Sequence, residues 1–244
     1  GVYILKTGPI TYSKLAEYDV FVLPLPMSSF STSEIDAIKQ YVSGGGHLWV
    51  IGDWNDYGTD PNQVSSQFGI DFDKNSVTDP TDYQSSTSWV LYYSRNFVHQ
   101  ITHCLTKLET YASSSLTLHG SAASAINTDS DASPASKSVM AVNTYGNGRV
   151  VVMGDSNYFG NDDVEGDGIC SIDEADNAQL ALRTISWAPC LVSYQFPSPT
   201  STVYLASSPF MWHSGDYVQQ TFTWPYASQA VQLVIHFEVI ADPG

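Results

Sequence analysis

Apolar and polar positions near the start of the chain follow the order strand, helix, strand. Residues 20–23 and 48–51 are continuous apolar runs, a pattern typical of parallel strands that are buried on both faces of a sheet. Between them, apolar residues recur at helical spacing from Ile35 to Val42. Ser31 and Glu34 precede this stretch with the Ser-x-x-Glu spacing of a capping box. The pattern predicts a βαβ unit with a helix that ends at three successive glycines, residues 44–46.

Apolar runs typical of strands and helical spacing of apolar residues recur in the second half of the chain. Apolar runs at residues 138–142 and 149–153 flank Asn147-Gly148, which is a strong signal for a β-hairpin. Residues 176–187 have the apolar spacing of a helix. We therefore predict an α/β fold with a doubly wound, mostly parallel sheet, in which residues 20–23, 48–51 and 150–153 are inner strands.

After Pro189 the sequence pattern favours strands only. Residues 192–196, 202–206, 217–224 and 231–239 are β-rich and are separated by proline, serine and glycine. Isolated hairpins are marginally stable in water, so we expect this part to pack on another domain or subunit. The pattern predicts an α/β domain over residues 1–189 and a small, incomplete, sandwich-like β segment over residues 190–244. Both ends of the chain look cut, and we expect it to be a piece of a longer protein.

The charge balance limits the classes of partner. The chain has 25 acidic and 9 basic residues, a formal net charge of −16, and only 14% charged residues, well below the usual quarter. An acidic surface repels phosphate backbones, which argues against nucleic acid, and attracts cations. No apolar run reaches the roughly 18 residues that a membrane span needs, so we expect no membrane span in this segment.

Cysteine usage leaves two alternatives open. The spacing of Cys104, Cys170 and Cys190 matches no zinc motif. One disulfide with a spare thiol is one interpretation, and three reduced, buried thiols are the other.

The order of several motifs resembles that of the glutamine-amidotransferase-like superfamily, and in particular its non-catalytic extracellular and intraflagellar-transport-type branch. The resemblance covers roughly residues 2–188. The motifs that carry it are EYDVFVLP, FSTSEIDAIKQYVSGGGHLWVIGD, HQIT at residues 99–102, YGNGRVVVMGDSNYF and DNAQLALRTISWA. The resemblance implies a flavodoxin-like, doubly wound sheet whose first strand lies before Gly1.

Catalytic members of that superfamily need a cysteine nucleophile on a sharp strand-to-helix turn, with a histidine partner. Cys104 follows His103, Cys170 lies in an acidic loop that raises a thiol pKa, and Cys190 follows the last predicted helix. None of them has the required setting. The resemblance therefore argues for the fold and against the chemistry.

Residues 163–174 fit the twelve-residue calcium loop of an EF-hand. Asp163, Glu165 and Asp167 occupy positions 1, 3 and 5; Ile169 at position 7 offers its carbonyl; and Glu174 at position 12 offers a bidentate carboxylate. Hard cations prefer such a set of oxygens. We predict that Ca²⁺ binds these five residues, in a loop inserted between strand and helix.

Three further features of this loop bear on the prediction. Gly168 at position 6 permits the sharp turn, and Ser171 at position 9 suits a bridging water. Two departures weaken the match: glutamate stands at position 3 instead of the shorter aspartate or asparagine, and Cys170 stands at position 8 instead of an aliphatic residue. A solvated acidic loop without metal is the alternative.

Taken together, the patterns favour a non-catalytic, calcium-stabilised module of a secreted or cell-surface protein, in a filament or surface layer. Its expected partners are other copies of itself or neighbouring domains of a larger protein. A hydrolase or amidotransferase-like enzyme that uses His99, Asp53 or a cysteine is one rival interpretation. A carbohydrate-binding or hydrolase-associated domain, with glycans stacked on aromatics such as Tyr83 and Trp89, is another.

Overall fold

A computed structural model describes residues 9–26, 28–54 and 60–187 with their side chains, and the backbone of strands at 2–5, 203–206, 218–222 and 231–235. The helices are α1 (Tyr12–Leu15), α2 (Thr32–Ser43), α3 (Asn62–Ser65) and α4 (Asn177–Ser186). The strands are β1 (Val2–Leu5), β2 (Val20–Pro24), β3 (His47–Ile51), β4 (Ile70–Phe72), β5 (Leu91–Tyr93), β6 (Lys107–Glu109), β7 (Leu116–Leu118), β8 (Ala123–Asn127), β9 (Ser138–Tyr145), β10 (Gly148–Met153), β11 (Val203–Ala206), β12 (Val218–Phe222) and β13 (Val231–Ile235).

The centre of the molecule is a mixed sheet of nine strands. Eight of them follow the order β1-β11-β2-β3-β10-β9-β7-β4, and β8 pairs with β9. The first five strands of this order are parallel, and the pairs beyond β10 are antiparallel. The predicted α/β fold with parallel inner strands is thus confirmed for β2, β3 and β10.

Two strands of the predicted C-terminal segment form a separate antiparallel pair, β12 with β13. A third, β11, lies in the main sheet between β1 and β2. The boundary after residue 189 stays a prediction. Residues 192–196, for which we predicted another strand, lie outside the described residues.

The inner strands form because the side chains that they direct to both faces of the sheet are apolar. Val22 pairs with Trp49, and Val152 pairs with Val50; all four side chains are buried. Successive residues point to opposite faces, so each strand contributes to two separate cores. Helices α1, α2 and α3 pack on one face, and α4 packs on the other together with the β5–β6 hairpin.

Helix α2 begins with the predicted capping box. The Ser31 hydroxyl accepts a hydrogen bond from the Glu34 N–H at 3.4 Å, and the Glu34 carboxylate accepts one from the Ser31 N–H at 2.9 Å. At the other end, Gly45 has a φ of 119°, a conformation that favours glycine. Tyr41 fills the space beside Gly46, where an added Cβ would lie 2.3 Å from its ring. Both ends of the helix are therefore fixed by local sequence.

Replacing Ser31 with alanine is expected to lower the free energy of unfolding by about 1 kcal/mol, because an N-cap hydroxyl satisfies a backbone N–H that has no helical partner. Urea denaturation measures the change. Thr32→Ala, at the exposed first position of the helix, is the matched control. A loss in Ser31→Ala no greater than in the control contradicts the role of the cap.

Candidate metal centre

The candidate calcium loop connects β10, in the middle of the sheet, to α4. Its glycines at positions 4 and 6, Gly166 and Gly168, have φ values of 76° and 94°, which a residue with a side chain rarely adopts. An added Cβ at either position would meet no atom within 4 Å. The glycines are thus required by backbone conformation and not by crowding, as predicted for Gly168.

Asp163 at position 1 shapes the turn. Its Oδ1 accepts hydrogen bonds from the N–H groups of Gly166 at 2.6 Å and Asp167 at 3.0 Å, and its Oδ2 accepts one from Gly168 at 2.8 Å. The Gly168 N–H, with those of Gly166 and Asp167, holds the pKa of Asp163 below its usual range. This exposed carboxylate therefore stays ionised and organises the loop backbone.

Two of the predicted ligands meet a third carboxylate from a distant strand. Glu165 from the loop, Glu174 from the segment before α4 and Glu109 from the end of β6 each place an oxygen within 4.8 Å of the other two. We call these three residues the glutamate triad. Glu109 is a member that no motif in the loop contains.

Two carboxylates of the triad are almost completely buried, which is unusual for ionisable side chains. Glu109 is 4% exposed and Glu174 is 8% exposed. Oε2 of Glu109, Oε1 of Glu165 and Oε1 of Glu174 are buried and have no hydrogen-bond partner among the described residues. Leaving a buried carboxylate oxygen unpaired costs free energy unless a charge or a donor compensates it. The triad thus has unused acceptor capacity at its centre.

Two of the remaining oxygens of the triad, one on Glu109 and one on Glu165, are held by neighbours. Lys107 forms an ion pair with Oε1 of Glu109, and the side-chain amide of Gln84 donates to Oε2 of Glu165. In each case one oxygen is fixed and the other is left unpaired. These contacts orient the two carboxylates without neutralising the triad.

The burial and mutual repulsion of the triad carboxylates raise the pKa values of two of its members. Burial raises the pKa of Glu174 to about 7, and the nearby Glu109, Asp167 and Glu165 carboxylates add to the rise. Burial also raises the pKa of Glu165, again with contributions from Glu109 and Asp167. Like charges in a poorly solvated space disfavour ionisation. A bound cation reverses that effect because it stabilises the ionised form.

The start of α4 is anchored beside the triad by hydrogen bonds to β6 and the segment before it. The fully buried Asn177 side chain accepts from the Glu109 N–H at 3.2 Å and donates to the carbonyls of Glu109 at 3.0 Å and Ser171 at 2.8 Å. Asp176 accepts from the Thr106 N–H at 2.6 Å and the Lys107 N–H at 3.1 Å. The helix is therefore tied to β6 by contacts that need no ion.

The structure separates the five predicted ligands into two groups. Glu165 and Glu174 belong to the triad. Asp163 is engaged with backbone N–H groups, Asp167 accepts from the Ile169 N–H at 2.9 Å, and the Ile169 side chain is 44% exposed. Ser171 at position 9 donates through both its N–H and its hydroxyl to the Asp162 carbonyl at 3.0 Å.

The sequence contained one overlooked signal for Glu109. It is the one acidic residue between Asp82 and Asp129, and it lies two residues after Lys107 and next to Leu108. An isolated acid that is buried needs a partner, and Lys107 is only one such partner. Nothing in the sequence, however, connects it with a loop more than fifty residues away.

The family model described as "Domain of unknown function (DUF4350)" matches residues 9–185. The chain belongs to this family. The matched DUF4350 segment contains the whole triad and the loop between β10 and α4. No curated protein sequence matches the chain significantly.

Solved structures share the fold of this DUF4350 domain at low sequence identity. One is the "mmIFT52 N-terminal domain", 19% identical, with a TM-score of 0.63, covering 78% of this chain and 85% of that one. Another is "Cytoplasmic Protein STM1381 from Salmonella typhimurium LT2", 14% identical, with a TM-score of 0.51, covering 76% of this chain and 77% of that one. At these identities the likeness concerns the fold alone.

Asp53 and Asp155, which follow β3 and β10, are engaged with neighbouring groups. The fully buried Asp155 accepts from the backbone N–H groups of Tyr111 at 2.6 Å and Asn157 at 2.7 Å. Asp53 accepts from the Trp54 N–H at 2.8 Å and from the Ser156 hydroxyl at 2.5 Å. Burial raises the pKa of both carboxyls, and Asp53 contributes to the rise at Asp155. Both aspartates hold the ends of the strands in place.

Other sequence candidates lie apart from the triad. His99 is half-buried, accepts from the Ile101 N–H at 3.3 Å and contacts the Trp187 ring edge-on. Trp89 packs edge-on against Tyr111 and is half-buried, whereas Tyr83 is 43% exposed. Neither arrangement presents a row of exposed rings for a sugar.

Cys104 forms a disulfide, and Cys170 is a free thiol; Cys190 lies outside the described residues. Burial raises the pKa of Cys170, and Asp173, Asp163 and Asp162 add to the rise. Such a thiol is a poor nucleophile at neutral pH.

A second acidic group joins Asp79 and Asp82, from the segment between β4 and β5, to Asp129, from the loop between β8 and β9. It is compensated by Arg95, which pairs with Asp82 and lies 3.6 Å from Asp129. In the parts of the chain that the structure describes, no helix has both the length and the apolar character needed to cross a lipid bilayer.

Proposed function

We propose that the chain is a non-catalytic, calcium-stabilised structural or interaction module of a secreted or cell-surface protein, and that it serves in a filament or surface layer. The observation that carries this proposal is the buried glutamate triad beneath the loop between β10 and α4. A cation there joins the loop, the helix and β6 into one unit. Ca²⁺ is the expected ion because it accepts an all-oxygen set of ligands with flexible geometry.

Three further properties support the location and the partners. A disulfide at Cys104 suits an oxidising compartment. Extracellular calcium modules bind in the range of about 0.1–1 mM. A net charge of −16 disfavours nucleic acid and favours contacts that cations mediate. The proposed partners are other copies of this chain or neighbouring domains of the same protein.

The same proposal includes a more specific assignment of the fold to a superfamily. We place the chain in the glutamine-amidotransferase-like superfamily with a flavodoxin-like, doubly wound arrangement, in a branch without the catalytic cysteine. The parallel β2-α2-β3 unit and the helices on both faces of the sheet support this assignment. The raised pKa of the Cys170 thiol supports the absence of cysteine chemistry.

Millimolar calcium is expected to stabilise the chain by about 0.5–1.5 kcal/mol relative to chelator, which follows from a dissociation constant of about 0.1–1 mM. The corresponding rise in melting temperature is about 1–6 °C for a chain of this size. Glu174→Gln is expected to remove most of this difference, because a bidentate carboxylate becomes a neutral amide. Thermal melts with calcium and with chelator measure both effects.

The matched control is Glu17→Gln, which removes the same charge at an exposed position after α1 and should keep the calcium response. Equal melting temperatures of the wild type in calcium and in chelator contradict the proposal. Turnover of a glutamine or ester substrate favours the enzyme interpretation, and glycan binding without self-association favours the carbohydrate-binding one.

A further inference from the structure

We propose that the glutamate triad (Glu109, Glu165 and Glu174) is the primary ligand set of the calcium site, and that Asp163 is a positioning residue outside it. This inference deepens the proposed calcium-stabilised function and rests on it. It differs from the EF-hand pattern in one decisive respect: a ligand comes from β6, which the twelve-residue loop does not include.

The separation of the carboxylate oxygens fits one ion. Ca²⁺ binds oxygen at about 2.3–2.6 Å, so two oxygens on the same ion lie at most about 5 Å apart. The triad oxygens lie within 4.8 Å of one another. They are therefore close enough to share a single calcium ion without a rearrangement of the backbone. Mg²⁺ demands near-ideal octahedral geometry and keeps several of its waters, whereas Ca²⁺ accepts a flexible, all-protein set of carboxylates.

The unpaired oxygens show that every member of the triad has spare acceptor capacity. Each member of the triad has one buried oxygen without a partner, whereas the other oxygens of Glu109 and Glu165 are bonded to Lys107 and Gln84. A solvated acidic surface does not leave acceptors buried and unused in this way. Three such oxygens from three separate segments supply acceptors for one bound cation.

The charge of the cluster indicates a divalent ion. Three ionised glutamates carry three negative charges, and Lys107 offsets one of them through its ion pair with Glu109. A divalent cation compensates the remaining two. The donor set is entirely carboxylate, which suits a hard cation and disfavours zinc or copper, whose protein sites use histidine or cysteine.

Asp163 has a different task. Both of its oxygens already accept hydrogen bonds from the loop backbone at 2.6–3.0 Å. Within the described part of the chain it belongs to no group of three ligand atoms within 4.8 Å. Its contribution is to fold the segment that carries Glu165. An asparagine at this position keeps one acceptor oxygen and therefore part of that function.

The test is calorimetric titration of CaCl₂ into the full, chelator-treated chain and its variants. Glu109→Gln is expected to weaken calcium binding at least 10-fold, and Asp163→Asn no more than about threefold. Glu165→Gln, a loop variant that leaves β6 intact, is expected to weaken binding as strongly as Glu109→Gln. Circular dichroism in chelator checks that each variant is folded, and Glu17→Gln controls for the loss of one negative charge.

The outcomes separate this inference from the function on which it rests. If the wild type binds no calcium, both fail. If the wild type binds calcium, the inference alone fails when Glu109→Gln and Glu165→Gln bind as tightly as the wild type, or when Asp163→Asn abolishes binding; the ion is then held by the twelve-residue loop. Equal affinity for MgCl₂ and CaCl₂ also overturns the inference, since a set of three protein carboxylates with flexible geometry favours Ca²⁺ over Mg²⁺.

Discussion

Replacing Asn177 with alanine is expected to lower the free energy of unfolding by about 3 kcal/mol. The side chain is fully buried and satisfies the N–H and carbonyl of Glu109 and the carbonyl of Ser171. Alanine leaves these three backbone groups buried without partners, and each unsatisfied group costs about 1–3 kcal/mol before the structure relaxes. Urea denaturation of the wild type and the variant measures the loss.

Comparing the stability loss in calcium with that in chelator separates the effect of Asn177 from that of the triad. Because the asparagine contacts need no ion, at least about 2 kcal/mol of the loss should remain in chelator. Asn161→Ala, which removes an exposed asparagine from the same region, should change the stability by less than about 0.5 kcal/mol. A loss that is seen in calcium and vanishes in chelator contradicts the prediction.

The two buried aspartates at the ends of β3 and β10 are expected to respond unequally to the same substitution. Asp155→Asn should lower the free energy of unfolding by about 2–3 kcal/mol, because one amide N–H₂ must face the backbone N–H of Tyr111 or Asn157. Asp53→Asn should change it by less than about 1 kcal/mol at pH 8, because removal of one of two like charges offsets the amide N–H₂ that faces the Ser156 N–H. The oxygen at this position still accepts from Trp54, and the Ser156 hydroxyl can rotate to accept.

The pH dependence follows from the direction of the pKa shifts. Burial raises the folded-state pKa of both aspartates, so the folded protein binds more protons than the unfolded chain above the ordinary carboxyl pKa. Their contribution to stability is present at low pH and is lost as the pH rises through the folded-state values. Unfolding at pH 5 and pH 8 should therefore show a smaller difference in Asp53→Asn than in the wild type. An unchanged difference, or an Asp155→Asn protein as stable as the wild type, contradicts this account.

The parallel part of the fold could be predicted because its signals are local. The capping box at Ser31 and Glu34, the apolar runs of β2 and β3, and the tight turn before β10 each specify an element within a few residues. The two turn residues are Gly146 and Asn147, one position earlier than the predicted Asn147-Gly148, because Gly148 pairs with Tyr145 as the first residue of β10. The strands β4 to β8 give no comparable signal. They are three to five residues long, and a strand of three residues has too few positions to establish an alternation.

The candidate site was predictable only in part, for a related reason. The loop pattern identified Glu165 and Glu174, which lie in the triad, and Gly168, whose backbone conformation follows from its position. It also included Asp163, whose carboxylate is bonded to the loop backbone. Glu109 enters through the pairing of β5 with β6 and the packing of that hairpin on the sheet. Such long-range placement is a property of the tertiary structure and has no local spacing in the sequence.

Strand β4, at one edge of the described sheet, affects how copies of the domain associate when they are crowded together. A free edge offers unpaired N–H and carbonyl groups to any other strand, and long, flat edges lead to aggregation. Here the edge is three residues long, and its central Asp71 carries a carboxylate that is bonded to Ser66 and His119. A short edge with a charge in its middle is a poor template for a foreign strand. Copies of the domain held at high local concentration would therefore resist pairing through this edge of the sheet.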